Sequence, residues 1–211
     1  MSRALAALAL LALGACADLE PPGRTPAYPF ADALYGDVFH WPTDRLPVRY
    51  YAVPRGNLRV LVQYAIGAWQ DQFLYGEYSG ALTDDSTHAD VIVRWADSVP
   101  PDVPPDAGPP VKACGGRTDF VRDATGTGIA GPMHTELSVL TGSPFSAAQV
   151  QACMRRTTIH ELGHTLGLLQ EATGDTLIMY FTPLVPWPAS GDRQTVEVLY
   201  HTPPTLRPPP R

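Results

Sequence analysis

Residues 157–181 read TTIHELGHTLGLLQEATGDTLIMYF, and they carry the most specific pattern in the chain. It begins inside a predicted helix, because apolar residues recur at helical spacing over residues 146–166. His160 and His164 are four residues apart, so their imidazoles lie on one helix face and can reach a single cation. Glu161 projects beside them, where a carboxylate accepts a proton from a metal-activated water instead of binding the metal. The pattern predicts a metal site on a helix.

The residues after the second histidine make this pattern more specific. Gly167 can adopt the left-handed conformation that ends a helix and turns the chain beneath a metal. Met179 and Tyr180 follow farther along. Together these residues resemble the metzincin clan of zinc proteases, whose motif is His-Glu-x-x-His-x-x-Gly-x-x-His followed by a methionine-containing turn, and within that clan the matrixin family. The resemblance implies structural roles for Gly167, Met179 and Tyr180.

The resemblance spans residues 46–200 and implies an α+β fold, a metzincin-like zincin domain. Such a domain has a twisted mixed sheet with an antiparallel edge strand, two long helices and a short C-terminal helix. The implied activity is that of a monomeric zinc metalloendopeptidase acting on protein or peptide substrates, with His160 and His164 as zinc ligands and Glu161 as general base. The alternative is a degenerate homologue that binds peptides or a partner protein without cleaving them. The retained Glu161 argues against that alternative.

The chain departs from the family at the third zinc ligand, where Gln170 replaces histidine. A neutral amide oxygen is a poorer zinc donor than imidazole, carboxylate or thiolate. Glu171 is adjacent, and the gap from Gln170 to Met179 is one residue longer than the resemblance leads us to expect. A one-residue shift of the turn would bring Glu171 inward, giving two histidines and one carboxylate. The sequence leaves four outcomes open: Gln170, Glu171, a distal residue such as His134, or an empty position.

The other regular elements follow from local patterns. Residues 46–53 and 89–96 have the β-branched and aromatic content of strands, and residues 57–76 have apolar positions at helical spacing. Residues 128–140 form a third strand region, in which the initial Gly and Pro favour an edge. In matrixins the edge strand binds the substrate backbone as an added strand. The proline-rich residues 100–110 predict a loop, and residues 190–200 predict a short helix.

The first residues are typical of an export signal. Arg3 is followed by an uninterrupted apolar run over residues 4–13, which is shorter than the roughly 20 residues needed to span a bilayer. LGAC, ending at Cys16, resembles the lipobox of bacterial lipoproteins, in which the cysteine is acylated. We therefore predict an exported protein held at the cell envelope, on the periplasmic or outer-membrane side, by a lipid anchor at Cys16. Plain secretion is the alternative.

Length and composition define one domain. The chain has 211 residues, of which 45% are hydrophobic and 17% charged, which suits a single globular core. A formal net charge of -6 gives no basic surface for nucleic acid, so no nucleic-acid partner is expected. The predicted organisation is a signal peptide at 1–15, a tether and N-terminal segment at 16–40, a metallopeptidase domain at 41–202 and a proline-rich tail without structure at 203–211.

Two cysteines remain in the exported part once Cys16 is set aside. Cys114 and Cys153 form an even pair in a compartment that permits oxidation, and the simplest interpretation is a disulfide. The alternative is that Cys114 acts as a zinc ligand or as an inhibitory thiol. A thiol of that kind belongs to a propeptide that precedes the domain, whereas Cys114 lies in the middle of the chain. This position favours the disulfide.

Overall fold

A five-stranded mixed sheet organises the chain. The computed structural model describes residues 24–96, 113–139 and 145–210. The strands are β1 (Val48–Ala52), β2 (Gly80–Thr83), β3 (Val91–Trp95), β4 (Cys114–Asp119) and β5 (Met133–Val139). Their order across the sheet is β2-β1-β3-β5-β4, and every neighbouring pair is parallel except β4 and β5. The sheet therefore ends at one side in an antiparallel strand, β4.

Three helices complete the α+β architecture: α1 (Leu58–Gln70), α2 (Ala147–Thr165) and α3 (Ser190–Tyr200). Helix α1 packs on β1, β2 and β3, helix α2 packs on β4 and β5, and the two helices contact each other. They therefore lie side by side on one face of the sheet, with the apolar core between. In none of the residues that the structure describes is there a helix both long and apolar enough to cross a membrane.

Two buried side chains join the helices to each other and to the sheet. The indole Nε1 of Trp69 in α1 donates a hydrogen bond of 2.7 Å to the carbonyl of Ile159 in α2. The hydroxyl of Tyr50 in β1 lies 3.0 Å from Oγ1 of Thr165, at the end of α2. Both aromatic residues are fully buried, so each polar group needs such a partner. These bonds fix the height and rotation of α2 over the sheet.

Most predicted elements are found with bounds close to those expected. Helix α3 has the predicted bounds, and β1 and β3 lie within the two predicted strand regions. Helix α2 begins at a capping box in which Ser146 and Gln149 bond each other's backbone N–H groups. Helix α1 ends at Gln70 instead of near Gly76, because the chain turns while Phe73 remains buried. The predicted loop at 100–110 lies outside the described residues.

The predicted edge strand is wrong. Strand β5 (Met133–Val139) lies between β3 and β4, and its neighbour β4 occupies the edge. The sequence of β4 is CGGRTD, which contains two glycines and two charged residues and therefore carries no strand pattern. His134 of β5 is accordingly an exposed residue in the sheet interior, paired in register with Ile92 and Asp119.

Both terminal segments of the described chain pack more closely than predicted. Residues 24–40 belong to the predicted tether and N-terminal segment, and within them Tyr28 is 4% exposed and Phe39 is fully buried. The tail was expected to be unstructured, yet Leu206 is 1% exposed and Arg207 forms a β-bridge with Gly128. The prolines and glycines of both segments suggest a chain without fixed structure. Burial of the apolar side chains between them nevertheless stabilises a packed arrangement. Residues 1–23, with the predicted signal peptide and Cys16, lie outside the described residues.

The predicted disulfide between Cys114 and Cys153 is confirmed. It joins the first residue of β4 to the first half of α2, at a sequence separation of 39 residues. Cys114 is therefore neither a metal ligand nor a free thiol. The bond attaches the edge strand covalently to the helix that carries both motif histidines.

Candidate metal centre

His160 and His164 lie on one face of α2 with their Nε2 atoms 3.2 Å apart. Nδ1 of His160 is 2.9 Å from the carbonyl oxygen of Ile178, and Nδ1 of His164 is 2.6 Å from the carbonyl oxygen of Leu168. A carbonyl oxygen only accepts hydrogen bonds, so each Nδ1 carries a proton and donates it. In the neutral rings both Nε2 atoms then present lone pairs to each other. Two facing lone pairs at this distance repel each other, and a proton or a metal ion between them would remove that repulsion.

Glu171 completes a triangle with the two imidazoles. Its Oε1 atom lies 3.4 Å from Nε2 of His160 and 3.5 Å from Nε2 of His164. A tetrahedral ion with bonds of about 2.0–2.1 Å separates its ligand atoms by about 3.3–3.4 Å. The three residues therefore fit one metal ion without rearrangement, and they could hold one. Two nitrogens and a carboxylate oxygen suit several divalent transition metals, so the donor set alone does not select zinc.

Gln170 takes part in a different contact. Its Nε2 donates a hydrogen bond to the carbonyl oxygen of Ala31 in the N-terminal segment. Among the candidates that the sequence left open, the structure brings Glu171 to the two histidines. It does not bring His134 into that group, because His134 points outward from β5 and is exposed.

Gly167 follows the end of α2 and has the predicted left-handed conformation, with φ at +109°. A Cβ atom at this position would lie 1.7 Å from the carbonyl oxygen of Phe39, so any larger residue would collide with backbone. The turn brings the carbonyl of Leu168 back to Nδ1 of His164. Gly167 thus lets the chain both leave the helix and return to orient the imidazole of His164.

The loop that carries Met179 also contacts the imidazole of His160 through the carbonyl of Ile178. Met179 is fully buried, and its carbonyl accepts a hydrogen bond of 2.7 Å from the N–H of Ala172. Ala172 also forms a parallel bridge with Tyr180. Because the carbonyl of Ile178 accepts from His160, the loop fixes the orientation of that imidazole.

Sequence reasoning missed Asp192, which anchors this loop. Its fully buried carboxylate accepts from the N–H groups of Ile178 at 3.0 Å, Met179 at 3.4 Å and Ala189 at 2.8 Å, and from the hydroxyl of Tyr28 at 3.0 Å. A buried carboxylate requires this many donors. The available signal was an acidic residue in the first turn of α3, where it complements the helix dipole.

Glu161 lies 4% exposed beside the triangle, against the edge strand β4. Oγ1 of Thr118 donates to Oε2 of Glu161 at 2.8 Å, and the buried hydroxyl of Thr135 lies 3.0 Å from the same Oγ1. The strand passes so close that a Cβ on Gly116 would lie 2.4 Å from Oε1 of Glu161. Neither Gly116 nor Thr118 was identified from the sequence, because only the folded sheet brings β4 over α2.

An open cleft lies in front of these groups. Its walls come from the N-terminal segment, from β4 and the residue after it, from α2 and from the loop after α2. The lining residues are Asp32, Gly116, Arg117, Thr118, Phe120, Glu161, His164, Leu169 and Glu171. One cleft is therefore lined by two carboxylates and one imidazole, those of Glu161, Glu171 and His164.

The charges of this cluster shift the pKa of His160 and the pKa of Glu171 in the metal-free protein. Burial favours a lower pKa for His160, but the hydrogen bond to Glu171 and the negative charges of Glu161 and Glu171 outweigh it and raise that pKa from 6.5 to about 9. Burial favours a higher pKa for Glu171, but its contacts with His160 and His164 outweigh burial and hold that pKa well below its usual range. Without a metal, a proton therefore takes the place of the cation between the ligands.

We expect the stability of the metal-free protein to fall between pH 6.5 and pH 9. The pKa of His160 is raised in the folded protein to about 9, so its charged form stabilises the fold fully below 6.5 and this contribution is lost as pH rises through 9. Urea unfolding of chelator-treated protein at several pH values measures the effect. A His160→Gln variant should show a weaker dependence over the same range. An equal pH dependence of the unfolding free energy in the wild type and the variant would show that His160 is not its source.

Comparisons with known proteins do not assign a family. Neither a scan against protein-family models nor a search of curated proteins finds a match to this chain. The function is therefore inferred from the motif and from the geometry of the group formed by His160, His164 and Glu171.

Proposed function

We propose that this protein is a zinc-dependent metalloendopeptidase of metzincin type, most similar to the matrixins. One observation carries the proposal: His160, His164 and Glu171 form a triangle of metal-ligand dimensions, and the carboxylate of Glu161 lies beside it in an open cleft. Two histidines and one carboxylate are a ligand set that catalytic zinc uses in other enzymes. The residues present therefore fit the metal that the motif implies, with Glu171 in place of Gln170 as third ligand.

The chain's own residues supply the remaining parts of a peptide hydrolysis. Bound zinc would provide a positive charge that polarises the scissile carbonyl and acidifies a water molecule. The carboxylate of Glu161 takes a proton from the attacking water and delivers it to the leaving amine as the C–N bond breaks. Thr118 donates to the other carboxylate oxygen and so holds this base in place. The products are a carboxylic acid and an amine, and Glu161 ends in its starting state.

Strand β4 supplies a surface for the substrate backbone. It pairs with β5 on one side, and within the described part of the chain no strand pairs with its other side. Gly116, Arg117 and Thr118 of this strand line the cleft. An extended peptide that pairs with the free edge would pass directly in front of Glu161 and the metal ligands.

Metal analysis combined with a cleavage assay tests the proposal. Protein purified without chelator should carry close to one zinc per chain and should cleave an unstructured protein such as casein. Removal of the metal should abolish cleavage, and added zinc should restore it. A chain that takes up no zinc would refute the proposal, and a zinc-loaded chain that cleaves none of several unfolded substrates would indicate a binding protein instead.

Export and lipid anchoring at Cys16 are proposed on the sequence alone. The apolar run at 4–13 followed by LGAC supports them. We expect Cys16→Ala to move the protein from the membrane fraction to the soluble fraction of cells that process lipoproteins. Cell fractionation with an antibody to the domain measures this, and a wild-type protein already in the soluble fraction would leave plain secretion as the explanation.

A further inference from the structure

Residues 27–32, a part of the N-terminal segment that we call the strap, run beside the candidate metal centre and are attached at both ends. At one end the N–H of Ala27 donates to Oγ1 of Thr195 at 3.1 Å, and the hydroxyl of Tyr28 donates to Asp192. At the other end the carbonyl of Phe30 accepts from the N–H of Leu169 at 2.8 Å. The strap thus connects helix α3 to the chain that leaves the metal helix.

The second bond at this end comes from Gln170. Its amide Nε2 donates to the carbonyl oxygen of Ala31, one residue along from the bond between Leu169 and Phe30. The strap and residues 169–170 are therefore held together at two consecutive positions. Asp32, the last residue of the strap, lines the cleft beside Glu171. The strap is consequently one wall of the metal centre.

The side chain of Glu171 needs such support. It is 40% exposed, so close packing does not fix its position. On its C-terminal side, Ala172 is held by the carbonyl of Met179 at 2.7 Å. On its N-terminal side, the bonds of Leu169 and Gln170 to the strap hold the backbone. Glu171 therefore lies between two fixed points, one of which depends on the amide of Gln170.

We propose that Gln170 is a positioning residue that locks the strap against residues 169–171 and thereby holds Glu171 Oε1 at the third-ligand position. The inference rests on the proposed metal site. It accounts for the residue type, since the carbonyl of Ala31 accepts a hydrogen bond and a neutral amide donates one without adding charge next to the proposed ligands. In this arrangement the residue that replaces the expected histidine acts on the metal through its neighbour.

Substitution of Gln170 by Met tests the lock, because Met keeps the length of the side chain and removes the donor. We expect the zinc affinity of Gln170→Met to fall about 10–100-fold, the cost typical of losing a residue that orients a ligand. The visible spectrum of the cobalt-substituted variant should change, since the ligand geometry changes. The N–H of Leu169 should exchange with solvent faster than in the wild type.

Gln194→Met is the matched control. Gln194 also donates its amide to a carbonyl of the N-terminal segment, that of Thr25, but on the side of α3. We expect the Gln194→Met variant to bind zinc with the affinity of the wild type. Equal losses in the two variants would overturn the specific role of Gln170, and so would a Gln170→Met variant with unchanged zinc affinity. Tighter zinc binding by Gln170→His, together with no loss in Glu171→Gln, would make residue 170 a ligand and would also overturn it.

A measurement on the wild type keeps the test decisive if a variant fails to fold. Docking of the strap and binding of zinc are coupled, so each must favour the other. Zinc should therefore slow hydrogen exchange at the N–H of Leu169. Unchanged exchange on zinc binding would overturn the lock while leaving the protease proposal intact. A wild type that binds no zinc would overturn both.

Discussion

Glu161→Gln is expected to abolish peptide cleavage while leaving zinc bound and the fold intact. The substitution preserves the shape of the side chain but removes the basic oxygen that accepts the proton of the attacking water. General-base catalysis contributes about 10²–10⁴-fold to rate, so the loss in kcat should be of that order. Zinc content should stay near that of the wild type, because Glu161 is not one of the three residues of the metal triangle. Casein cleavage and metal analysis on the same preparations measure both quantities.

The matched control for this variant is Glu136→Gln. Glu136 lies on β5 and pairs with the exposed Arg94. Glu136 is not among the residues that line the cleft, so the same chemical change there removes no group of the proposed site and should leave cleavage unchanged. Cleavage by Glu161→Gln at the wild-type rate would place the general base elsewhere.

The helices were predictable because their signals are local. The capping residues of α2, the spacing of its histidines and the bounds of α3 are all present in short stretches of sequence. The left-handed Gly167 was predictable for the same reason, since a glycine after a helical pattern is a common helix end. These elements could be placed without knowledge of the rest of the chain.

The environment of Glu161 was not predictable, because it arises from contacts between distant segments. Strand β4 carries no strand pattern, yet it supplies Gly116 and Thr118 to the cleft. Its position at the edge follows from pairing with β5 and from the disulfide between Cys114 and Cys153. Sequence periodicity reports which face of an element is apolar, but it does not report which element lies opposite a catalytic side chain.

The third position of the proposed metal site was also not predictable, although its two main candidates are adjacent in sequence. The motif spacing points to Gln170, whereas the longer gap to Met179 points to its neighbour Glu171, so sequence spacing alone did not decide between them. In the structure the side chain of Gln170 donates to the carbonyl of Ala31 in the strap, and Ala172, the residue after Glu171, donates to the carbonyl of Met179. The N-terminal segment thus contacts residues 169 and 170 in a way that no local pattern within residues 157–181 reports.

Glu171→Gln is expected to lower zinc affinity by more than about 100-fold, because loss of a residue that merely supports a ligand already costs about 10–100-fold. The neutral amide is a poor zinc donor and also removes the negative charge that offsets the metal. Competition with a chelator of known zinc affinity measures the change, and Asp32→Asn provides the control. Asp32 lines the same cleft but pairs with Arg122 at 3.5 Å, outside the triangle. Its variant should bind zinc nearly as the wild type does, so equal losses would indicate a general effect of cleft charge. Unchanged affinity in Glu171→Gln would exclude Glu171 as a ligand and leave Gln170, a distal residue or an empty third position.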